Sequence, residues 1–290
     1  MKKVKLTAFA KANLSLNITG KSGKLHTLDS VMISLDAFDT VTVTERSDDK
    51  IEVSFDIPDI DPTLNTAFKA AAAVRDKIGF GADIKIEKGI PIGAGLGGSS
   101  ADGAAVLRAL DLFYGLTERN VDMRKIALSV GSDVPFMLTG GLARVTGVGE
   151  EMMFIENKLK LFAVGLMSES VSTAEAYAAF DKLHKDNAYS PTDNQKLVDA
   201  LLDGDDNALK FLGNALFDAA ASLAPSVKDN YEKLLSFGAL PCMTGSGGMV
   251  LGYFTDIEKF ARAATALKKE TGFRVFSSAP VGVLHEWIER

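Results

Sequence analysis

Residues 91–107 read PIGAGLGGSSADGAAVL, with five glycines and two serines ahead of a run of small and apolar residues. Bare backbone just before a helix has a physical use. Glycines let main-chain N–H groups approach an anion closely, and the positive end of the helix dipole favours its charge. The simpler reading is a flexible loop ending in a serine N-cap. Beyond it, Val106, Leu107, Leu110, Phe113 and Tyr114 recur at helical spacing, which predicts an amphipathic helix with one buried face.

If the loop holds phosphate, three designs compete. A Walker A loop needs a lysine after its second glycine; Gly93 and Gly98 have the spacing, but Ser99 stands where the lysine belongs. A dinucleotide fingerprint is literally present as Gly93, Gly95 and Gly98. It needs a second strand ending in an acidic residue, and here the helix runs on through ALDLFYGL. The third design is a non-Walker loop whose amides from Gly95 to Ser100 ring the phosphates. The Ser99 and Ser100 hydroxyls then add donors or a magnesium ligand.

Working outward, ADIKIEKGIP alternates like a strand leading into the loop, and NTAFKAAAAVRDKIGF reads as a helix with Gly79 as its C-cap. The first 60 residues read as strands, including a hairpin in DTVTVTERSDDKIEVSF. After the loop helix come a short helix, a tight turn and a glycine-rich strand region. LKLFAVGLMS is a strand, 173–236 is mostly helical, and a strand–helix–strand pattern closes the chain. This predicts an α+β C-terminal domain, with domains at 1–157 and 158–290.

Bulk properties exclude several classes. The 290-residue chain is 47% hydrophobic and 24% charged, with net charge −6, which argues against a nucleic-acid surface. Cys242 is the only cysteine, so no intrachain disulfide forms, and with three histidines a structural zinc site is not expected. No window has the ~18 consecutive apolar residues of a membrane span. The expectation is a soluble, cytoplasmic protein, monomer or homodimer.

Single residues each carry two readings. Lys11, in FAKANLSL, is either an edge-strand lysine with its head in water or a cation in a cleft that steadies developing negative charge. Asp133, in GSDVPFML, is either an N-cap or a general base set against a substrate hydroxyl. His26 follows a polar turn, GKSGKLH. Thr244 to Gly248, TGSGG, form a second glycine cluster expected to join helix to strand.

FAKANLSL, PIGAGLGGSSADGAA and TGSGG, in that order, resemble the three motifs of the GHMP kinase superfamily. LSVGSDVPFMLTGGLARVTGVGEE, KANLSLNITG and ALPCMTGSGG are most similar to its 4-diphosphocytidyl-2-C-methyl-D-erythritol kinases. That resemblance implies a two-domain α+β fold, with a ribosomal-S5-like N-terminal ATP-binding domain and a ferredoxin-like C-terminal domain. It implies transfer of the ATP γ-phosphate, with Mg2+, to a hydroxyl of a CDP-linked polyol in isoprenoid (terpenoid) synthesis.

By position, Asp133 matches the family's catalytic aspartate and Lys11 its partner lysine. Gly93, Gly95, Leu96, Gly97, Gly98, Ser99 and Ser100 match the ATP phosphate loop, with Asn65 beside the nucleotide. Asn13, His26, Thr244, Gly245 and Ser246 match the substrate side, His26 reading the cytosine edge. The metal ligands stay open. The family usually reads D-G-Y-H where this chain has Gly23-Lys24-Leu25-His26, so an aromatic expected to stack on the base is absent, and no replacement is evident near Leu202. Such stacking is worth ~1–3 kcal/mol. The loop reads GGSSAD against the family's GGSSDA, and the third motif GSGGM against GSGPT. The alternatives are a related kinase of another small alcohol and a catalytically silent nucleotide-binding paralogue.

Overall fold

The structure, a computed structural model, describes residues 1–23, 25–57, 65–185, 189–279 and 281–289. Lys24 of the polar turn, Leu64 ahead of Asn65, and Pro280 lie outside the described residues. Two long strands, β1 (Lys3–Ser22) and β2 (Leu25–Arg46), pair antiparallel from end to end. After β3 (Ile51–Phe55), helix α1 (Thr66–Ile78) crosses to β4 (Gly81–Glu87). Helix α2 (Gly98–Tyr114) follows the glycine loop. Then come α3 (Met123–Val130), α4 (Val134–Thr139), β5 (Leu142–Gly147) and β6 (Glu151–Phe154).

The second half runs β7 (Phe162–Met167), α5 (Thr173–Leu183), α6 (Asn194–Asp203), β8 (Gly213–Asn214), α7 (Phe217–Leu223) and α8 (Ser226–Ser236). It ends with β9 (Leu240–Thr244), β10 (Met249–Phe254), α9 (Ile257–Leu267), β11 (Arg274–Ser277) and β12 (Val283–Glu289).

Among the described residues, eight strands form the first sheet, in the order β12-β1-β2-β4-β3 with β5, β6 and β8 joined beside it. The expected hairpin of β2 with β3 does not form. β4, with Ala82, Ile84 and Ile86 facing the core, takes the place next to β2, and β3 pairs parallel to β4 at the edge. Parallel neighbours need a crossover, which α1 supplies. Four strands form the second sheet, β11-β7-β10-β9, all antiparallel neighbours. Numbered along the chain from β7, that order is 4-1-3-2, the ferredoxin-like arrangement.

Four further expectations need correction. TGSGG joins strand β9 to strand β10 rather than helix to strand. The stretch beyond FRVFSSAP is itself a strand, β12, which returns to pair with β1. Lys11 is not an exposed edge lysine: β12 pairs with β1 only as far as Ala8, and beyond it the glycine loop covers that side, with Lys11 N–H donating to Leu96 O. Finally, α2 is buried on nearly all sides: its alanines and Gly103 let α1 pack close, and a Cβ at Gly103 would come within 2.7 Å of Thr66.

The division expected near residue 157 falls between β6 and β7, where the chain leaves the first sheet for the second; β8 and β12 later rejoin the first. β1 shows how the halves meet. From Lys3 to Ala10 burial alternates, as a strand with one covered face should, but from Ala10 to Ile18 every residue is buried. There Ala10, Ala12 and Leu14 enter the N-terminal core, while Leu16 and Ile18 enter a second core with Ala176, Phe180 and Leu216. Lys11 and Asn13 sit at the start of that doubly covered stretch.

Candidate functional site

Lys11 is 4% exposed and Asn13 3%. A buried ammonium needs partners, and Lys11 Nζ donates to Asn13 Oδ1 at 2.9 Å and lies 3.5 Å from Asp133 Oδ2. Asn13 is fixed from both halves of the chain. Its Nδ2 donates to Ser30 Oγ at 2.8 Å, its N–H to Thr244 Oγ1 at 3.2 Å, and its Oδ1 accepts from Gly245 N–H at 3.1 Å.

The glycine loop lies against this cluster. Lys11 N–H donates to Leu96 O at 3.0 Å, and Thr244 Oγ1 to Gly95 O at 3.3 Å. The approach to the β9–β10 turn is close enough to require glycine: a Cβ on Gly95 would stand 2.5 Å from Thr244 O, and one on Gly248 1.7 Å from Gly93 O. Gly97, with φ 73°, occupies the N-cap of α2 in left-handed conformation, so no side chain caps the helix. Phe55, Ile90 and Ile92 form the apolar side of the adjoining cleft, and Asn65 and Ser99 are among its polar residues. Asn65 caps α1 through its Oδ1, accepting from Ala67 N–H at 2.6 Å. Ser99 and Thr66 share a hydroxyl hydrogen bond of 2.6 Å.

Asp133 occupies the N-cap of α4, yet its carboxylate makes no capping hydrogen bond. The carboxylate is 36% exposed and faces the Lys11 ammonium instead. A buried cation beside an open carboxylate, next to an uncapped helix start, is suited to bringing a hydroxyl and a phosphate together.

His26 lies apart, on β2 beside α5. Its Nε2 bonds Asp181 Oδ1 at 2.9 Å and its ring stacks on Tyr177 with centroids 4.6 Å apart. Lys21 Nζ donates to the other oxygen of Asp181 at 2.6 Å. Burial, and then the charge of Asp133, push the Tyr177 phenol up to about 12. Ser246 turns towards α5 as well, within 3.2 Å of Thr173 Oγ1.

Behind the loop, Lys88 donates to both Asp39 and Asp102. Asp39 also accepts from Gly89 and Ile90 N–H, both at 2.8 Å, while Asp102 Oδ1 has no partner among the described residues. Burial opposes the charge on Lys88, but Asp102 and Asp39 outweigh it and raise the lysine's pKa.

The GHMP kinases N terminal domain model matches residues 65–141, which hold the glycine loop and Asp133. Over 274 residues, 92% of each chain, the sequence is 34% identical to 4-diphosphocytidyl-2-C-methyl-D-erythritol kinase of Alkaliphilus metalliredigens (strain QYMF). Over 282 residues, 94% of each, it is 36% identical to the kinase of the same name from Desulfitobacterium hafniense (strain Y51).

The chain belongs to the 4-diphosphocytidyl-2-C-methyl-D-erythritol kinase family.

A crystal structure of a 4-(cytidine 5'-diphospho)-2C-methyl-D-erythritol kinase superposes with TM-score 0.77 at 28% identity, covering 95% of this chain and 99% of the other. L. major mevalonate kinase in complex with R-mevalonate, at TM-score 0.71 and 18% identity, shares the fold. Set against this kinase family, the structure draws Lys11, Asn13, Asp133, Gly95, Leu96, Thr244 and Gly245 into one connected cluster. Asn65, Ser99 and Gly93 to Gly98 line the adjoining cleft. His26 and Ser246 lie beside α5. Sequence reading missed Tyr177, Asp181 and Lys21 around His26, and Asp39, Lys88 and Asp102 behind the loop. Leu202, where an aromatic was sought, is on α6; Tyr177 of α5 is the aromatic that meets His26.

Proposed function

We propose that this protein transfers the γ-phosphoryl group of ATP to a hydroxyl of 4-diphosphocytidyl-2-C-methyl-D-erythritol, in isoprenoid precursor synthesis. The observation that carries the reading is the Lys11–Asp133 pair, 3.5 Å apart and bonded through Lys11 N–H to the phosphate loop, in a chain about one third identical to kinases of that name. Phosphoryl transfer asks a protein for little covalent chemistry; it asks for in-line positioning and charge neutralisation.

Asp133 accepts the proton of the attacking hydroxyl and aims its oxygen. Lys11 has three N–H donors, of which Asn13 takes one, and the rest face Asp133 and the transferring group. Amides of Gly95 to Ser100, at the uncapped start of α2, hold the β- and γ-phosphates. Asn13, Thr244 and Gly245 hold the acceptor side against the loop. Asn65 lies beside the nucleotide base.

Hydroxyl donors and phosphate oxygens suit a hard cation that keeps several waters. Ser100 fits this need best, since Ser99 already bonds Thr66. Ser99 and Ser100 would hold Mg2+, which offsets phosphate charge when bound.

On the acceptor side, His26 reads the base edge, and Tyr177 supplies the aromatic face that Leu25 lacks. Ser246, in the β9–β10 turn against Thr173 at the start of α5, completes that wall. The division into 1–157 and 158–290 puts the nucleotide on the first domain and the base wall largely on the second. No described helix is long and apolar enough to cross a membrane. We place the enzyme in the cytoplasm as a monomer or homodimer. Coupled ADP release with the cytidyl acceptor tests the reading: acceptor-dependent release supports it, and release only with another alcohol overturns the substrate.

A further inference from the structure

Asp181 receives two donors, His26 Nε2 at 2.9 Å and Lys21 Nζ at 2.6 Å. The Lys21 bond first, and then the His26 bond, pull its carboxyl below the usual value. An ionised carboxylate can only accept, so Nε2 must carry the hydrogen, and a ring with that single hydrogen presents Nδ1 as a lone-pair acceptor. The ring is held in that sense. It stacks on Tyr177 at 24° and its side chain is only 13% exposed. Among the described residues nothing bonds Nδ1. In that tautomer the open edge of His26 is an acceptor edge.

An acceptor edge separates the two common pyrimidines. Cytosine offers an exocyclic amino donor where uracil offers a carbonyl acceptor. Acceptor against acceptor leaves both unpaired, and a site built to hydrogen-bond a donor rejects the analogue that lacks it. We infer that Asp181 is a positioning residue for base specificity: by holding His26 in its Nε2–H tautomer, it makes the site select a cytidine over a uridine diphosphate polyol. This rests on reading His26 as the residue that meets the base. Lys21, in turn, braces Asp181 from the tip of β1 and does not fix the tautomer.

The test compares kcat/KM for the cytidine- and uridine-linked acceptors in wild type, Asp181→Asn and Lys21→Met, with 15N spectra of the His26 ring. Wild type is expected to prefer cytidine by roughly 100-fold or more, with a protonated Nε2 and an unprotonated Nδ1. In Asp181→Asn the amide can present either its oxygen or its NH2 to Nε2. The preference is expected to fall about tenfold or more, the spectrum to become a tautomer mixture, and KM for ATP to stay unchanged. Lys21→Met should keep the preference, because the acceptor remains.

An Asp181→Asn enzyme that retains both preference and spectrum overturns the inference. So does a Lys21→Met enzyme that loses the preference equally, since Asp181 would then be only a clamp between hairpin and helix. Wild type that uses both pyrimidines equally overturns the reading of His26 and the inference with it. Wild type that uses neither, while phosphorylating another alcohol, overturns the proposed substrate and with it the inference.

Discussion

Lys11 Nζ stands 3.5 Å from Asp133 Oδ2, and of the two side chains only the carboxylate is open, 36% exposed against 5%. Burying an ammonium costs several kcal/mol, which its carboxylate and amide partners must offset. A surface pair would do more for stability at less cost. The arrangement suits a task instead: a fixed cation beside an anion that a substrate can reach.

Asp133→Asn keeps an oxygen near Lys11 but loses the proton acceptor. A fall in kcat of ~10²- to 10⁴-fold is expected, the usual worth of a positioned base, with both KM values within a few-fold. Steady-state kinetics checks this; a rise in KM alone would make Asp133 a binding residue.

Gly95→Ala places a Cβ 2.5 Å from Thr244 O, at a position whose φ is 74°. The β9–β10 turn has to move off the phosphate loop. A loss of about 1–3 kcal/mol of stability and a lower kcat/KM for ATP are expected. Chemical denaturation and initial rates would show it; an unchanged ATP dependence would mean that the contact between the two loops is dispensable.

Tyr177→Leu removes the aromatic face beside His26. Losing one stacked base contact of ~1–3 kcal/mol corresponds to a rise of roughly 5- to 150-fold in the acceptor's KM. KM for ATP should hold. Equal effects on both substrates would place Tyr177 in the fold rather than the base site.

Asp102 gives the chain a pH dependence. Burial is the largest influence on it, Lys88 opposes burial and Asp39 adds to it, and the carboxyl is pushed up from 3.8 to about 8. Between those values the folded chain keeps a proton that the unfolded chain releases, so stability falls as pH rises. Asp102→Asn cannot titrate and should flatten this decline, gaining on wild type towards pH 8 in urea melts. A slope parallel to wild type would show that Asp102 does not titrate there. By contrast, Asp39→Ala leaves Lys88 with Asp102 alone and two backbone N–H groups without their acceptor, and a loss of ~1–3 kcal/mol per stranded group is expected.

Much of the site was legible because its signals are local. Glycines at 93, 95, 97 and 98, followed by helical spacing, announce a bare loop entering a helix, though not that Gly97 rather than a serine is its N-cap, and TGSGG announces a turn. Choice of partner is not local. Nothing in IEVSF says that β4 rather than β3 lies beside β2, and Lys11 looks like an edge lysine until the glycine loop folds against its strand through Leu96 O. The surroundings of His26 were missed for the same reason. Asp181 meets His26 across 155 residues of sequence, and only the packing of α5 on β2 brings Tyr177 to the histidine ring. Asp39, Lys88 and Asp102 escaped because a charged residue reads as solvated until its burial is known.

The most direct measurement is ADP release by the purified protein with Mg-ATP, comparing 4-diphosphocytidyl-2-C-methyl-D-erythritol with mevalonate, homoserine and no acceptor, in wild type and Asp133→Asn. Turnover is expected with the cytidyl acceptor alone, and its loss in Asp133→Asn. ATP turnover only with another alcohol, or cytidyl turnover that survives in Asp133→Asn, would contradict the assignment of substrate or of base.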